Sequence, residues 1–152
     1  MRKTILLLAA FFFVIAARSQ QLPDLASIKL DKKEDFNTSA NDAALKVSVY
    51  LLTTPIEKSN ANRDLAEGYL IKWMKGTPQF YFNLDEDAAD LAKRNDGLFV
   101  VFMAAMTKYV LENPSDATDI KKVKLYSVKA LIEYARNPKN NANLNGDLKK
   151  TI

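Results

Sequence analysis

The chain has 152 residues, 48% of them hydrophobic and 26% charged, the proportions of a globular protein and not of a disordered or multispanning membrane chain. It contains neither cysteine nor histidine, which excludes disulfides, thiolate nucleophiles, cysteine-linked haem, zinc sites built on those ligands and any imidazole base. Its formal net charge of +4 resides mostly in the first nineteen residues, so the charge does not argue for a nucleic-acid partner.

Met1, Arg2 and Lys3 make a positive start, Ile5 to Ala17 is an unbroken apolar run of thirteen, and Ala17-Arg18-Ser19 offers small residues where a signal peptidase reads. This pattern predicts a secretory signal peptide over residues 1–19, cleaved before Gln20, and hence an exported, periplasmic or secreted product of bacterial type. Thirteen helical residues reach only about 20 Å, short of a bilayer core, so no stable membrane anchor is expected after cleavage. A lipoprotein signal would need a cysteine after the apolar run, and there is none. With the segment gone, 22 basic residues against 18 acidic become 19 against 18, and net charge falls from +4 to +1.

Residues 20–41 read as a polar, loosely packed N-terminal arm, with Leu22, Leu25 and Ile28 available for one short amphipathic turn. The helical domain is expected over residues 42–138. In its first helix, residues 42–52, Ala40, Ala44, Val47 and Leu51 share a face, and Ser39 or Asn41 is available as the cap. A strand competes for Lys46 to Leu51 but has no partner elsewhere. Asn62 is placed as the cap of the second helix, whose rows Leu65, Tyr69, Trp73 and Ala66, Leu70, Met74 are apolar; Gly76 is expected in the left-handed position that ends it, with Pro78 blocking continuation.

Residues 77–84 read as an extended connector in which Phe80, Phe82 and Leu84 alternate with Tyr81 and Asn83. Asp85 is expected to cap a third helix that pauses at Asn95-Asp96-Gly97. Leu98 to Met106 is nine apolar residues without a break, which predicts a central helix buried on most sides and ending at Asn113-Pro114. Ser115 is placed as the cap of a fifth helix that closes at Asn137-Pro138. Residues 139–152 form an Asn/Lys-rich C-terminal tail.

The fold class is therefore all-α, a compact bundle of about five helices after the signal peptide. A short α-solenoid of stacked helical hairpins is the alternative, but closing prolines at 78, 114 and 138 are spaced 36 and 24 apart and set no period. A tetratricopeptide register would put Glu86 or Val110 where tryptophan belongs. No family resemblance is carried by these residues.

Chemistry-bearing groups are few. Asp85, Glu86, Asp87 and Asp90 offer carboxylates for a cation or an acid–base pair, but they also suit a capped helix start. Asn141 to Asp147 has the early spacing of a calcium loop with neutral amides as ligands, and Ile152 stands where the bidentate glutamate belongs. Lys121, Lys122, Lys124 and Lys129 read as a solvated face, and Asn37-Thr38-Ser39 is a glycosylation triplet by pattern. Phosphate-binding glycine loops and the nucleophile-elbow motif do not occur.

The aromatics Trp73, Phe80, Tyr81 and Phe82 are the expected partner or ligand surface, with Tyr81 turned outward if Phe80 and Phe82 turn inward. The leading expectation is a non-enzymatic exported helical module that binds a protein or envelope partner through this connector. The alternatives are a bundle holding an apolar small molecule among Trp73, Phe80, Phe82, Phe99, Phe102 and Met106 and, further off, a carboxylate-dependent enzyme. No cofactor, catalytic residue or metal site is expected.

Overall fold

A computed structural model of the chain describes residues 21–144, so the expected signal peptide and most of the C-terminal tail lie outside the described residues. Five helices carry the fold: α1 Thr38–Thr53, α2 Ala61–Gly76, α3 Glu86–Arg94, α4 Asp96–Glu112 and α5 Ile120–Arg136. Among the described residues there is no strand. α4 is the axis of the bundle, with α1, α3 and α5 packed on it and α2 on α1. Contact between α1 and α4 across two intervening helices makes this a bundle and not a stack of successive hairpins.

Polar side chains fix where helices start. Asn37 accepts from the Ser39 and Ala40 amides, Asn60 from Arg63, Asp85 from Ala88, Asn95 from Leu98 and Asp119 from Lys121 and Lys122. Each such cap satisfies backbone donors that would otherwise be orphaned and contributes about 1 kcal/mol. Three caps differ from the sequence reading: Asn37 replaces Ser39 or Asn41, Asn60 replaces Asn62, and Asp119 replaces Ser115. Ser115 instead lies in a 3-10 turn, Pro114–Asp116, which fills the space between α4 and α5. Asn95 serves two helices, its amide closing α3 on the Leu91 carbonyl at 2.8 Å while its side chain opens α4.

The core has two parts that meet along α4. Trp73, Leu70, Ala66, Val47 and Leu51 lie in the first, with Val100, Met103 and Ala104 of α4. Leu98, Val101, Phe102, Met106 and Val110 of α4 lie in the second, with Val123, Leu131 and Tyr134 of α5. α4 is thus buried on opposite sides, which is why its sequence shows no polar face over residues 98–106.

The N-terminal arm differs from the loose segment expected. Leu30 and Phe36 are buried, and Leu22, Leu25 and Ile28 pack against the first cluster. Two 3-10 turns, Leu25–Ser27 and Lys33–Asp35, shape the path, and Asp35 accepts from the amides of Asp31 and Lys32 at 2.8 and 2.9 Å. Gly76 is also corrected: it is the last residue of α2 and has no positive φ. A Cβ at this position would stand 2.1 Å from the Cζ of Phe36. Glycine is therefore required by the Phe36 ring that lies across it and not by a left-handed turn.

Candidate functional site: the aromatic connector

Residues 77–85 stretch between two fixed points. Thr77 donates its amide to the Trp73 carbonyl at 2.9 Å at one end, and Asp85 caps α3 at the other. Pro78 has no amide to continue α2. Trp73 is fully buried, and its indole Nε1 donates to Asn41 Oδ1 at 3.1 Å. Asn41 in turn donates from Nδ2 to Gln79 Oε1 at 2.7 Å, so one amide on α1 holds both the tryptophan and the start of the connector.

Phe80 and Phe82 turn inward and are half-buried, their ring centroids 5.9 and 6.0 Å from Trp73 in tilted arrangements. Such aromatic pairs add about 1 kcal/mol beyond their buried area. Tyr81 lies between them and points away, 79% exposed. Leu84 is 46% exposed beside it. The structure therefore brings Trp73, Phe80 and Phe82 together as one packed group and leaves Tyr81 as the accessible member.

Tyr81 borders two depressions. One is a groove of about 380 Å³ along α2, walled by Ile71, Met74, Lys75 and Met103 together with the connector. The other is a shallow dent towards α5 lined by Asn83, Ile120 and Lys124. Sequence reasoning did not single out Lys75, although its place in the last turn of α2, just before the connector, was readable.

The six residues considered for an apolar ligand are shared between the two core clusters. Trp73 belongs to the first, Phe102 and Met106 to the second, and Phe80, Phe82 and Phe99 pack against both. Tyr50 is half-buried against the first cluster. Tyr69 is buried in it and donates its hydroxyl to the Ala40 carbonyl at 3.0 Å; burial pushes its pKa up to about 12.

Of the four carboxylates at the start of α3, Asp85, Asp87 and Asp90 are engaged with the chain itself, and Glu86 is exposed. Lys124 Nζ donates to Asp85 Oδ2 at 2.6 Å and to Asp87 Oδ2 at 2.8 Å, and Asp90 pairs with Arg94 at 3.1 Å. The Lys124 hydrogen bond, followed by the Ala88 amide, holds the Asp85 carboxyl below its usual range. Among the described residues no group of three or more acidic side chains is placed to hold a metal ion. Lys122 pairs with Asp116 at 3.0 Å, while Lys121 and Lys129 face solvent. Of the tail's calcium-loop pattern only Asn141 to Leu144 is described. There Asn141 adopts a left-handed φ of 54° and the Asn143 carbonyl accepts from Asn95 Nδ2 at 2.8 Å.

A second, polar cleft of about 590 Å³ lies at the far end of α2, with Arg63, Glu67 and Asp64 on one side and Asp96 and Asn143 on the other. Arg63 is 2% exposed. Its Nη1 donates to the Thr54 carbonyl at 2.9 Å, and Nε stands 2.9 Å from Glu67 Oε1. Burial raises the pKa of Glu67, an effect that the Arg63 charge opposes. The sequence signal for this residue was its position on the row Arg63, Ala66, Leu70, Trp73, which is the core face of α2.

No protein family matches the chain, and no curated protein or solved structure matches it either. Among the described residues no helix is long and apolar enough to cross a membrane.

Proposed function

We propose that this protein is a non-enzymatic helical binding module, exported from the cell, that engages a protein or envelope partner through the face centred on Tyr81. The observation that carries the reading is the combination of a 79% exposed tyrosine with a connector pinned at both ends and packed from below on Trp73. A tyrosine held this way offers large contact area at little cost in conformational entropy. Ring burial against a partner desolvates an apolar body and leaves the hydroxyl free to hydrogen-bond at the rim.

Non-enzymatic action is supported by the missing cysteine and histidine and by carboxylates at α3 that are engaged in a cap and in lysine contacts. Export rests on the pattern of residues 1–19. A net charge of +1 for the chain after that segment gives no basis for a nucleic-acid partner.

The test is crosslinking and affinity capture of the tagged protein from its own host, followed by mass spectrometry, with Tyr81→Ala as the comparison. A stoichiometric partner retained by the parent chain and lost in Tyr81→Ala, at an unchanged melting temperature, is the expected result. Identical capture by both proteins, or a parent chain that elutes alone, overturns the reading.

A further inference from the structure

The connector differs from the rest of the described chain in what its backbone does. The helices pair their own amides and carbonyls, and the turns between them close hydrogen bonds of their own. Phe80, Tyr81, Phe82, Asn83 and Leu84 take part in no backbone hydrogen bond to any described residue. The nearest contact is upstream, where the Gln79 amide reaches Thr77 Oγ1 at 3.4 Å. Five consecutive residues thus have no backbone partner among the described residues, and offer donors and acceptors of the kind an edge strand presents along its open flank.

Direction matters as much as availability. In an extended segment side chains alternate above and below, and amides and carbonyls point to the flanks. Phe80 and Phe82 point down and Tyr81 stands up, the alternation of an extended segment, whose main-chain groups would lie roughly parallel to the protein surface. One flank is the groove of about 380 Å³ beside α2. A strand paired with the connector would run about 4.8 Å away, over that groove, with alternate side chains facing Ile71, Met74 and Met103. The intervening side chains would stand beside Tyr81 as cross-strand neighbours.

The groove is apolar apart from Thr77 and Lys75, and Lys75 is its one charged lining residue. Lys75 has no ion pair among the described residues, a state it shares with several other exposed lysines; its place in the groove lining is what sets it apart. Apolar walls and an uncompensated ammonium at the rim complement a segment of apolar side chains that carries an acidic residue.

Resting on the binding reading above, we infer that the partner is held as an extended peptide segment that adds a strand to Phe80–Leu84, with alternating apolar side chains in the α2 groove and a carboxylate opposite Lys75. Recognition is then shared between main-chain hydrogen bonds, which tolerate many sequences, and the groove and lysine, which select among them.

The experiment pans a displayed library of random decapeptides on the purified protein, then maps an enriched peptide by amide hydrogen exchange. Enriched sequences should alternate apolar residues and include an aspartate or glutamate, and exchange at Phe80–Leu84 should slow on binding. Asn83→Pro removes one connector amide at an exposed side chain and should weaken the peptide by at least about tenfold. Alternate N-methylation of the peptide should do the same without touching the protein's fold, and Lys75→Glu should turn the selection towards basic peptides.

Binding that leaves Phe80–Leu84 unprotected and survives both Asn83→Pro and N-methylation overturns strand addition, while a partner lost in Tyr81→Ala would still stand for the broader reading. Failure of any decapeptide to enrich also overturns it. A dimer joined through the connector in the absence of peptide would assign the edge to a second copy of this chain instead.

Discussion

Arg63 on α2 and Tyr134 on α5 donate to the same oxygen, the carbonyl of Thr54 just beyond α1, at 2.9 and 2.7 Å. Three helices are thereby joined at one acceptor. The last carbonyls of a helix have no intrahelical donor, and Arg63 also reaches the Leu51 carbonyl at 3.4 Å.

Because the two donors share an acceptor, removing either leaves Thr54 partly satisfied. Tyr134→Phe should cost about 1 kcal/mol, the net worth of one hydrogen bond. Arg63→Ala should cost about 3 kcal/mol, because it also strands Glu67 beside a buried space. The double variant should lose more than the sum of the two. Urea denaturation of the four proteins reads this coupling directly, and strict additivity would contradict the shared role of Thr54.

Two glycines on α2 should respond to alanine with opposite signs. Gly68 has no atom within 4 Å of where a Cβ would stand, so Gly68→Ala should stabilise by about 0.5–1 kcal/mol through helix propensity. Gly76→Ala would press its methyl into the buried Phe36 ring and should destabilise by about 1–3 kcal/mol. Adding Phe36→Leu to Gly76→Ala should cost less than Phe36→Leu costs alone in the parent, as measured by thermal unfolding.

Thr107 is fully buried on α4, and its hydroxyl has no hydrogen-bond partner among the described residues. Ser48 and Ser127, in comparable burial, each donate to the carbonyl four residues earlier at 2.8 Å. Thr107→Val replaces an unsatisfied hydroxyl by a methyl of similar shape and should raise stability by about 1 kcal/mol. Ser127→Ala should not, since its hydroxyl is paired. Calorimetric melting of both variants checks the contrast.

The pair between Lys124 and Asp85 sets a dependence on acid. Asp85 titrates below its ordinary value of 3.8 in the folded protein, chiefly through the Lys124 hydrogen bond and then the Ala88 amide. A depressed carboxylate contributes stability that is complete above its unfolded pKa and is lost as pH falls through the folded value. Lys124, raised by the same pair, loses its contribution only as pH climbs above 10.5. The stability gap between the parent and Lys124→Met should stay flat from about pH 5 to 9 and close below pH 3.8. A gap that widened in acid would contradict the assignment.

Much of this architecture was legible because its signals are local. The cap at Asp85, the break at Asn95, the apolar run of α4 and the alternation of Phe80, Tyr81 and Phe82 each depend on residues within a few positions of one another. What escaped depends on contacts distant in sequence. Gly76 looked like a turn residue because Phe36, forty positions earlier, is invisible to a window centred on it. Leu30 and Phe36 sit in a polar stretch without sustained periodicity, yet the first core cluster gives them a surface to cover. Asn60 and Asn62 carry the same capping chemistry, and α2 starts at Ala61, where the Asn60 side chain accepts from the Arg63 amide. At the connector, the outward tyrosine was readable from period two, whereas the groove beside it needs α2 and α4 in place.

A helix enclosed by partners from both ends of the chain also sets an order of events during synthesis. When α4 leaves the ribosome, α1 and α2 are already available to cover Val100, Met103 and Ala104. Val101, Phe102, Met106 and Val110 share their cluster with Ala88 and Leu91 of α3, which precede α4, but the α5 side of that cluster stays open until Arg136 has emerged. The nascent chain is then most prone to self-association in the interval between Glu112 and Arg136, the span in which a molecular chaperone would find the most to hold.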